Sequence, residues 1–119
     1  MAIKIKRAYE PPSKSDGTRI LIDGLWPRGV SREKAAIAEW MKEVAVSAAL
    51  RKWFSHDPAK WPEFKKRYRA ELAGKPAAAA RLREMARHGP LTIVYAAKDE
   101  ERNNAVVLKE FLENRSGKP

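Results

Sequence analysis

Two short runs constrain this chain more than any other feature in it. Thr18-Arg19-Ile20-Leu21-Ile22-Asp23 and Leu91-Thr92-Ile93-Val94-Tyr95-Ala96-Ala97 have unbroken apolar centres rich in β-branched residues. A strand with one wet face alternates apolar and polar side chains. A run without alternation needs cover on both faces, which is the habit of parallel strands in the middle of an α/β sheet. Ile3 to Arg7 alternates apolar with basic residues instead, as a half-buried strand does. These three segments are expected to form the sheet, with the two continuous runs at its centre.

From Ser31 to Gly89 the pattern is helical. Ser31 is a plausible N-cap, and Ile37, Trp40, Met41 and Val44 follow at i, i+3, i+4 and i+7, the spacing of one helix face. Ser47 opens a short helix carrying Leu50, Trp53 and Phe54. Asp57-Pro58 signals another start, and Trp61, Phe64, Tyr68 and Leu72 continue one face. Pro62 either kinks that helix or marks where it begins. Gly74 and Pro76 separate it from an alanine-rich helix that Gly89-Pro90 ends. A last helix, capped by Asp99, is expected from Glu100 to Asn114, with Ala105, Leu108 and Leu112 inward and Phe111 beside them, and with residues 115–119 frayed beyond it.

Strand, helices, strand and helix in that order make a right-handed βαβ crossover. The connection from Glu10 to Gly17 is too short for a crossover helix. It either closes an antiparallel hairpin or returns extended so that the first two strands run parallel. The sequence therefore predicts one α/β domain over residues 1–119: a small, mostly parallel sheet of about three strands flanked by four to five helices.

Composition narrows the chemistry. The 119 residues include no cysteine, which removes disulfides, thiolate ligands and thiol nucleophiles. His56 and His88 are the only imidazoles, too few for a closed zinc site, and no metal or other cofactor is expected. No run approaches the ~20 apolar residues of a membrane span, and the start alternates apolar and charged residues unlike a signal peptide. A cytoplasmic location without membrane contact is expected. Net charge is +10, and the stretch from Arg51 to Arg87 holds eleven basic and four acidic residues. Such a field attracts anionic partners, nucleic acid included, although basic side chains also simply solubilise helix faces.

Ligands of open α/β sheets bind beyond the carboxyl ends of the strands. Two loops lie there: Asp23-Gly24-Leu25-Trp26-Pro27-Arg28-Gly29, and Ala97-Lys98-Asp99. The first combines a carboxylate, a Trp-Pro pair that stiffens the turn, a guanidinium shaped for carboxylate or phosphate, and a helix start at Ser31. It reads as an anion-binding corner. A bland alternative has Trp26 plugging the sheet end and Arg28 paired internally. Lys98 can face the same cleft, and Asn103 and Asn104 add hydrogen-bonding side chains. Asp23, Trp26, Arg28, Lys98 and Asn104 are thus the candidate ligand-binding residues, with Asp23 and His56 as weak candidates for proton transfer. Tyr95, inside a strand, reads as core. A second reading places nucleic acid on the outer face carrying Lys65, Lys66 and Arg69, where basic residues interleave with aromatics. Helical spacing supplies a simpler account, with the aromatics inward. A third reading is an interaction protein without catalysis.

Three motifs in order, Leu25-Trp26-Pro27-Arg28-Gly29-Val30-Ser31, Leu50-Arg51-Lys52-Trp53-Phe54-Ser55-His56-Asp57-Pro58 and Tyr95 to Leu108, resemble the YeaO-like bacterial proteins of domain-of-unknown-function family 488 (DUF488). The resemblance spans nearly the whole chain. It implies a small bacterial α/β domain and supplies no established activity. Broader members of that family carry cysteines and a histidine where this chain has Tyr95, Asn103 and Asn104, and YeaO-like members often have histidine at Arg102. Thiol, metal or imidazole chemistry therefore does not carry over to those positions. The broader family places a helix between its first two strands, which favours the parallel arrangement here, shortened to a loop.

Overall fold

An apolar run that needs cover on both faces belongs between two neighbours, and both continuous runs sit there. The structure, a computed structural model, describes residues 2–114. Its elements are β1 (Ile3–Arg7), β2 (Thr18–Leu21), α1 (Arg32–Ala35), β3 (Glu39–Trp40), α2 (Ala48–Phe54), α3 (Trp61–Ala73), α4 (Pro76–His88), β4 (Leu91–Tyr95) and α5 (Asn104–Glu113). The four strands form one parallel sheet in the order β1-β4-β2-β3. β4 pairs Ile93 with Ile5 on one side and with Ile20 on the other, and all five of its residues are buried. The expected frayed tail, residues 115–119, lies outside the described residues.

The hairpin alternative fails. β1 and β2 are not neighbours; both run parallel to β4, which lies between them. Their connection returns through a single 3₁₀ turn at Lys14–Asp16. Gly17 takes φ +63° there, and a Cβ on it would sit inside the carbonyl group of Pro90. Only glycine permits both that backbone and that approach.

The connection is pinned by charge. Asp16 is fully buried on one face of the sheet and receives Lys4, Lys6 and Arg19 at 2.9, 3.1 and 2.7 Å, together with the backbone N–H and the hydroxyl of Ser13. Burial alone would push its carboxyl up. The bonds from Lys4, Ser13 and Lys6 outweigh that and hold it far below the usual carboxylate range.

The expected helix through Ile37 and Val44 does not form. α1 ends after one turn at Ala36, which takes φ +52°, and the chain then runs extended as β3. Ala38 and Met41 donate to the carbonyls of Arg19 and Leu21 at 2.8 and 2.9 Å. The sheet therefore has a fourth strand of two residues. The helical spacing misled because its four apolar residues divide between opposite sides of the sheet. Met41 and Val44 enter the main core, while Ile37 and Trp40 pack on a smaller cluster around Ala8, Leu21 and Val94. Side chains so divided cannot share one helix face.

The remaining helices follow their caps. The hydroxyls of Ser31 and Ser47 accept from the N–H groups of Lys34 and Leu50, and Asp57 accepts from Ala59 to open a 3₁₀ turn. Pro62 is the second residue of α3, inside the first turn, where its missing N–H costs nothing. Phe64, Tyr68 and Leu72 point from α3 into the core, and Ala105, Leu108 and Leu112 do so from α5. α5 begins at Asn104 rather than Glu100. Asp99 spends its carboxylate on a local turn, accepting from Glu101 and Arg102, and Asn103 caps the helix by accepting from Val106 at 3.0 Å. Arg83 donates to the carbonyls of Phe111 and Leu112, closing the other end of α5. No described helix is long and apolar enough to cross a membrane.

Candidate functional site

Parallel strands bring their carboxyl ends to one edge, so the segments leaving β2 and β4 must meet. β2 runs on through Ile22 to Asp23 and Gly24, and β4 leads into Ala96 and Ala97. Three of these four residues are small, and a cavity of about 680 Å³ opens above them. Its apolar lining comes from the buried Phe54 and Phe64, from Val46 and Trp26, and from the exposed Leu25, and its basic groups are Arg51, His56, Lys98 and Arg102.

Asp23 is the fixed point. Its Oδ2 accepts from the backbone N–H of Ala96 at 3.1 Å, and its Oδ1 accepts from Asn104 Nδ2 at 2.8 Å. Its carbonyl accepts from Trp40 Nε1 at 2.7 Å. Burial pushes its carboxyl up, and the bonds from Asn104 and Ala96 and the nearby charge of Arg51 offset only part of that. Asp23 thereby ties the end of β2 to the end of β4 and to the first residue of α5.

The loop after Asp23 is built on tryptophan. Trp26 Nε1 donates to the carbonyl of Val30 at 2.8 Å, and its ring meets Trp40 edge-on at 5.6 Å. Arg32 lies over Trp26, 4.4 Å from the ring centroid. Trp26 therefore both plugs the second cluster and walls the cavity. Arg28 stands apart from its loop partners. It is exposed, its carbonyl accepts from the Tyr9 hydroxyl at 3.0 Å, and it is not part of the cavity wall. The guanidinium beside Asp23 belongs instead to Arg51 of α2.

Of the residues singled out in the sequence, the cavity brings together Asp23, Trp26, Lys98, Asn104 and His56, and leaves out Arg28. It adds Arg51 and Arg102. Arg102 is paired with Asp99 at 3.1 Å, whereas Arg51 and Lys98 make no hydrogen bond or ion pair among the described residues. Arg51 was legible in principle: it stands three residues before Phe54, so one face of α2 presents both. His56 follows Ser55, and both hold positive φ, +56° and +45°, in a turn closed by Asp57 N–H to Phe54 C=O at 2.9 Å. Two successive non-glycine residues in that region store strain.

The outer face of α3 is less free than its composition suggests. Lys65 and Arg69 both approach Glu110, at 3.9 and 3.2 Å, and Lys66 alone of the three has no ion pair among the described residues. Inward, the Tyr68 hydroxyl donates to the Val44 carbonyl at 2.5 Å, and burial first, then the charges of Asp23 and Glu71, push its ionisation up out of reach. Tyr95 is likewise buried core.

Known proteins resemble the chain along nearly its whole length. A family model described as the inactive DUF488-N3 subclade matches residues 2–118. The chain is similar to the uncharacterised protein YeaO of Escherichia coli, 43% identical over 94% of this chain and 97% of that one. It is also similar to the uncharacterised proteins Mb3100c of Mycobacterium bovis and Rv3073c of Mycobacterium tuberculosis, each 36% identical over 95% of both chains. No solved structure matches.

Proposed function

The chain belongs to the inactive DUF488-N3 subclade, and from that premise we propose that it is a binding protein whose cleft at the strand carboxyl ends receives a small anionic ligand without transforming it. The observation that carries this reading is the pair Arg51 and Lys98. Both stand on the wall of one cavity, and neither makes a hydrogen bond or contact ion pair among the described residues, Arg51 feeling Asp23 only through its nearby charge. Both are exposed at the rim of the cavity, and a phosphate or carboxylate arriving there would give them a partner that the fold does not supply. Trp26 and Asn104 complete the wall, and Asp23 orients rather than reacts. Its two oxygens accept from Ala96 N–H and Asn104 Nδ2, bonds that tie the ends of β2 and β4 to α5. The subclade's description as inactive agrees with that assignment.

Inorganic phosphate, pyrophosphate and succinate, titrated against the protein while backbone amide shifts are followed by NMR, test the reading. Shifts are expected at Asp23–Trp26 and Ala96–Asn104. They should weaken in Arg51→Gln and Lys98→Gln. Anion binding unchanged in both cation variants, with the fold intact, would refute the site. The nucleic-acid reading through Lys65, Lys66 and Arg69 is weaker, because Glu110 already offsets two of those charges.

A further inference from the structure

We propose that the ligand of this cleft is an amphipathic anion, a flat apolar body bearing one anionic group, rather than a wholly polar ion. The proposal rests on the anion reading above and adds the ligand's other half.

The cavity has two kinds of wall. Phe54 and Phe64 stack at 4.3 Å between ring centroids and, with Val46, belong to the apolar lining. The two rings are otherwise covered, 7% and 3% exposed, so the little surface they keep is surface turned toward open space at the cleft. In the same lining, Leu25 is 70% exposed, one of two large apolar side chains left in water among the described residues. Trp26 follows it. Lys98, Arg51 and His56 line the same cavity. Gly24, Ala96 and Ala97 leave the space between unfilled.

Each wall excludes a different simple occupant. Phosphate alone would satisfy the cations but leave Leu25 and the half-buried Trp26 in water, and it is far smaller than 680 Å³. A neutral hydrocarbon would cover the apolar lining but make no use of the exposed cations Arg51 and Lys98 at its rim. An aryl or alkyl group carrying a phosphate or carboxylate matches both. A cavity of this size, mostly apolar with a few placed polar groups, is of the kind that takes such molecules.

Phenyl phosphate, inorganic phosphate and benzyl alcohol are the probes, titrated against the whole chain by amide shifts and tryptophan fluorescence. Phenyl phosphate is expected to bind on the order of tenfold tighter than inorganic phosphate, from the ring area it buries. Leu25→Ser, at an exposed position the fold does not need, should shrink that ratio without changing phosphate binding. Lys98→Gln should weaken phenyl phosphate and phosphate alike. Equal affinity for phenyl phosphate and phosphate, both sensitive to Lys98→Gln, would overturn the amphipathic ligand while leaving the anion site standing. Benzyl alcohol binding as tightly as phenyl phosphate would overturn both, and so would binding of none of the three.

Discussion

Replacing Asp16 with asparagine should cost more than any other isosteric change in the chain. The carboxylate is fully buried and gathers three cations and two Ser13 donors. Asparagine keeps the shape, removes the charge, and turns an N–H₂ group toward ammonium and guanidinium groups. Lys4 is 45% exposed and can swing into water, which discounts its share. Arg19 is 3% exposed and cannot. Its Nη2 already lacks a partner, and its Nε is committed to the Ala35 carbonyl at 2.9 Å. Leaving that guanidinium buried without its carboxylate should cost about 3–4 kcal/mol, the lower part of the range for breaking a buried pair because water reaches one side of the cluster. For a chain of this length that is on the order of 10–15 °C in Tm. Urea denaturation followed by circular dichroism measures it. The pH dependence supplies a second readout. The folded carboxyl lies below its ordinary value of 3.8. Its stabilisation is therefore complete well above pH 3.8 and drains away as pH falls through that value toward the folded pKa. The native protein should lose stability across that acid range, and Asp16→Asn should lose less. A further change, Arg19→Met in the Asp16→Asn background, should recover part of the loss, since removing both partners removes the stranded charge. A cost below about 1 kcal/mol, or an unchanged acid limb in the variant, would refute the account.

Other consequences are equally direct. Gly17→Ala should destabilise by about 2–3 kcal/mol or prevent folding, because the new Cβ meets the Pro90 carbonyl at a positive φ; thermal melts of the purified variant decide it. Asp23 has the opposite pH sign from Asp16. Its folded carboxyl lies above 3.8, so its contribution to stability is lost as pH rises from there through the folded value, and Asp23→Asn should flatten that limb of a pH–stability curve. Tyr68→Phe should cost about 1–2 kcal/mol in chemical denaturation, because it orphans the buried Val44 carbonyl. His56→Gly should leave Tm unchanged or raised, since glycine tolerates the positive φ, while a weakened cleft affinity in the same variant would show what the strained turn is kept for.

The strands were legible because unbroken apolar runs have few other uses, and the caps at Ser31, Ser47 and Asp57 because a hydroxyl or carboxylate before a helix has a specific job. β3 was not. Two residues carry no period of their own, and Ile37, Trp40, Met41 and Val44 imitate a helix face while serving both sides of a sheet. The start of α5 was displaced for a similar reason, because Asp99 and Asn103 are both good caps and only the local turn shows which one the helix uses. In the site, positions fixed by a strand end were readable: Asp23 and Lys98 come after β2 and β4 wherever those strands go. Arg28 was not, since a guanidinium's direction depends on the loop that carries it, and this loop commits its backbone at Arg28 to Tyr9. Arg51 comes from a helix distant in sequence, and only packing brings it to Asp23.

That packing also separates a receptor from a catalyst. A general base needs a free lone pair at the reacting proton, and a general acid needs a proton held there by its surroundings. Asp23 is raised by burial, as many catalytic carboxyls are, yet each of its two oxygens accepts a bond from the wall, one from Ala96 and one from Asn104. The same two bonds hold β2, β4 and α5 in register around the cleft. A residue whose bonds set the geometry of the walls cannot give one up during a reaction without loosening the site that binds the ligand. The cations are arranged differently: Arg51 and Lys98 hold no wall together, so a ligand can take them without structural cost. The position that looks most reactive in the sequence is thus the one most committed to shape, and the binding falls to residues the fold leaves unspent.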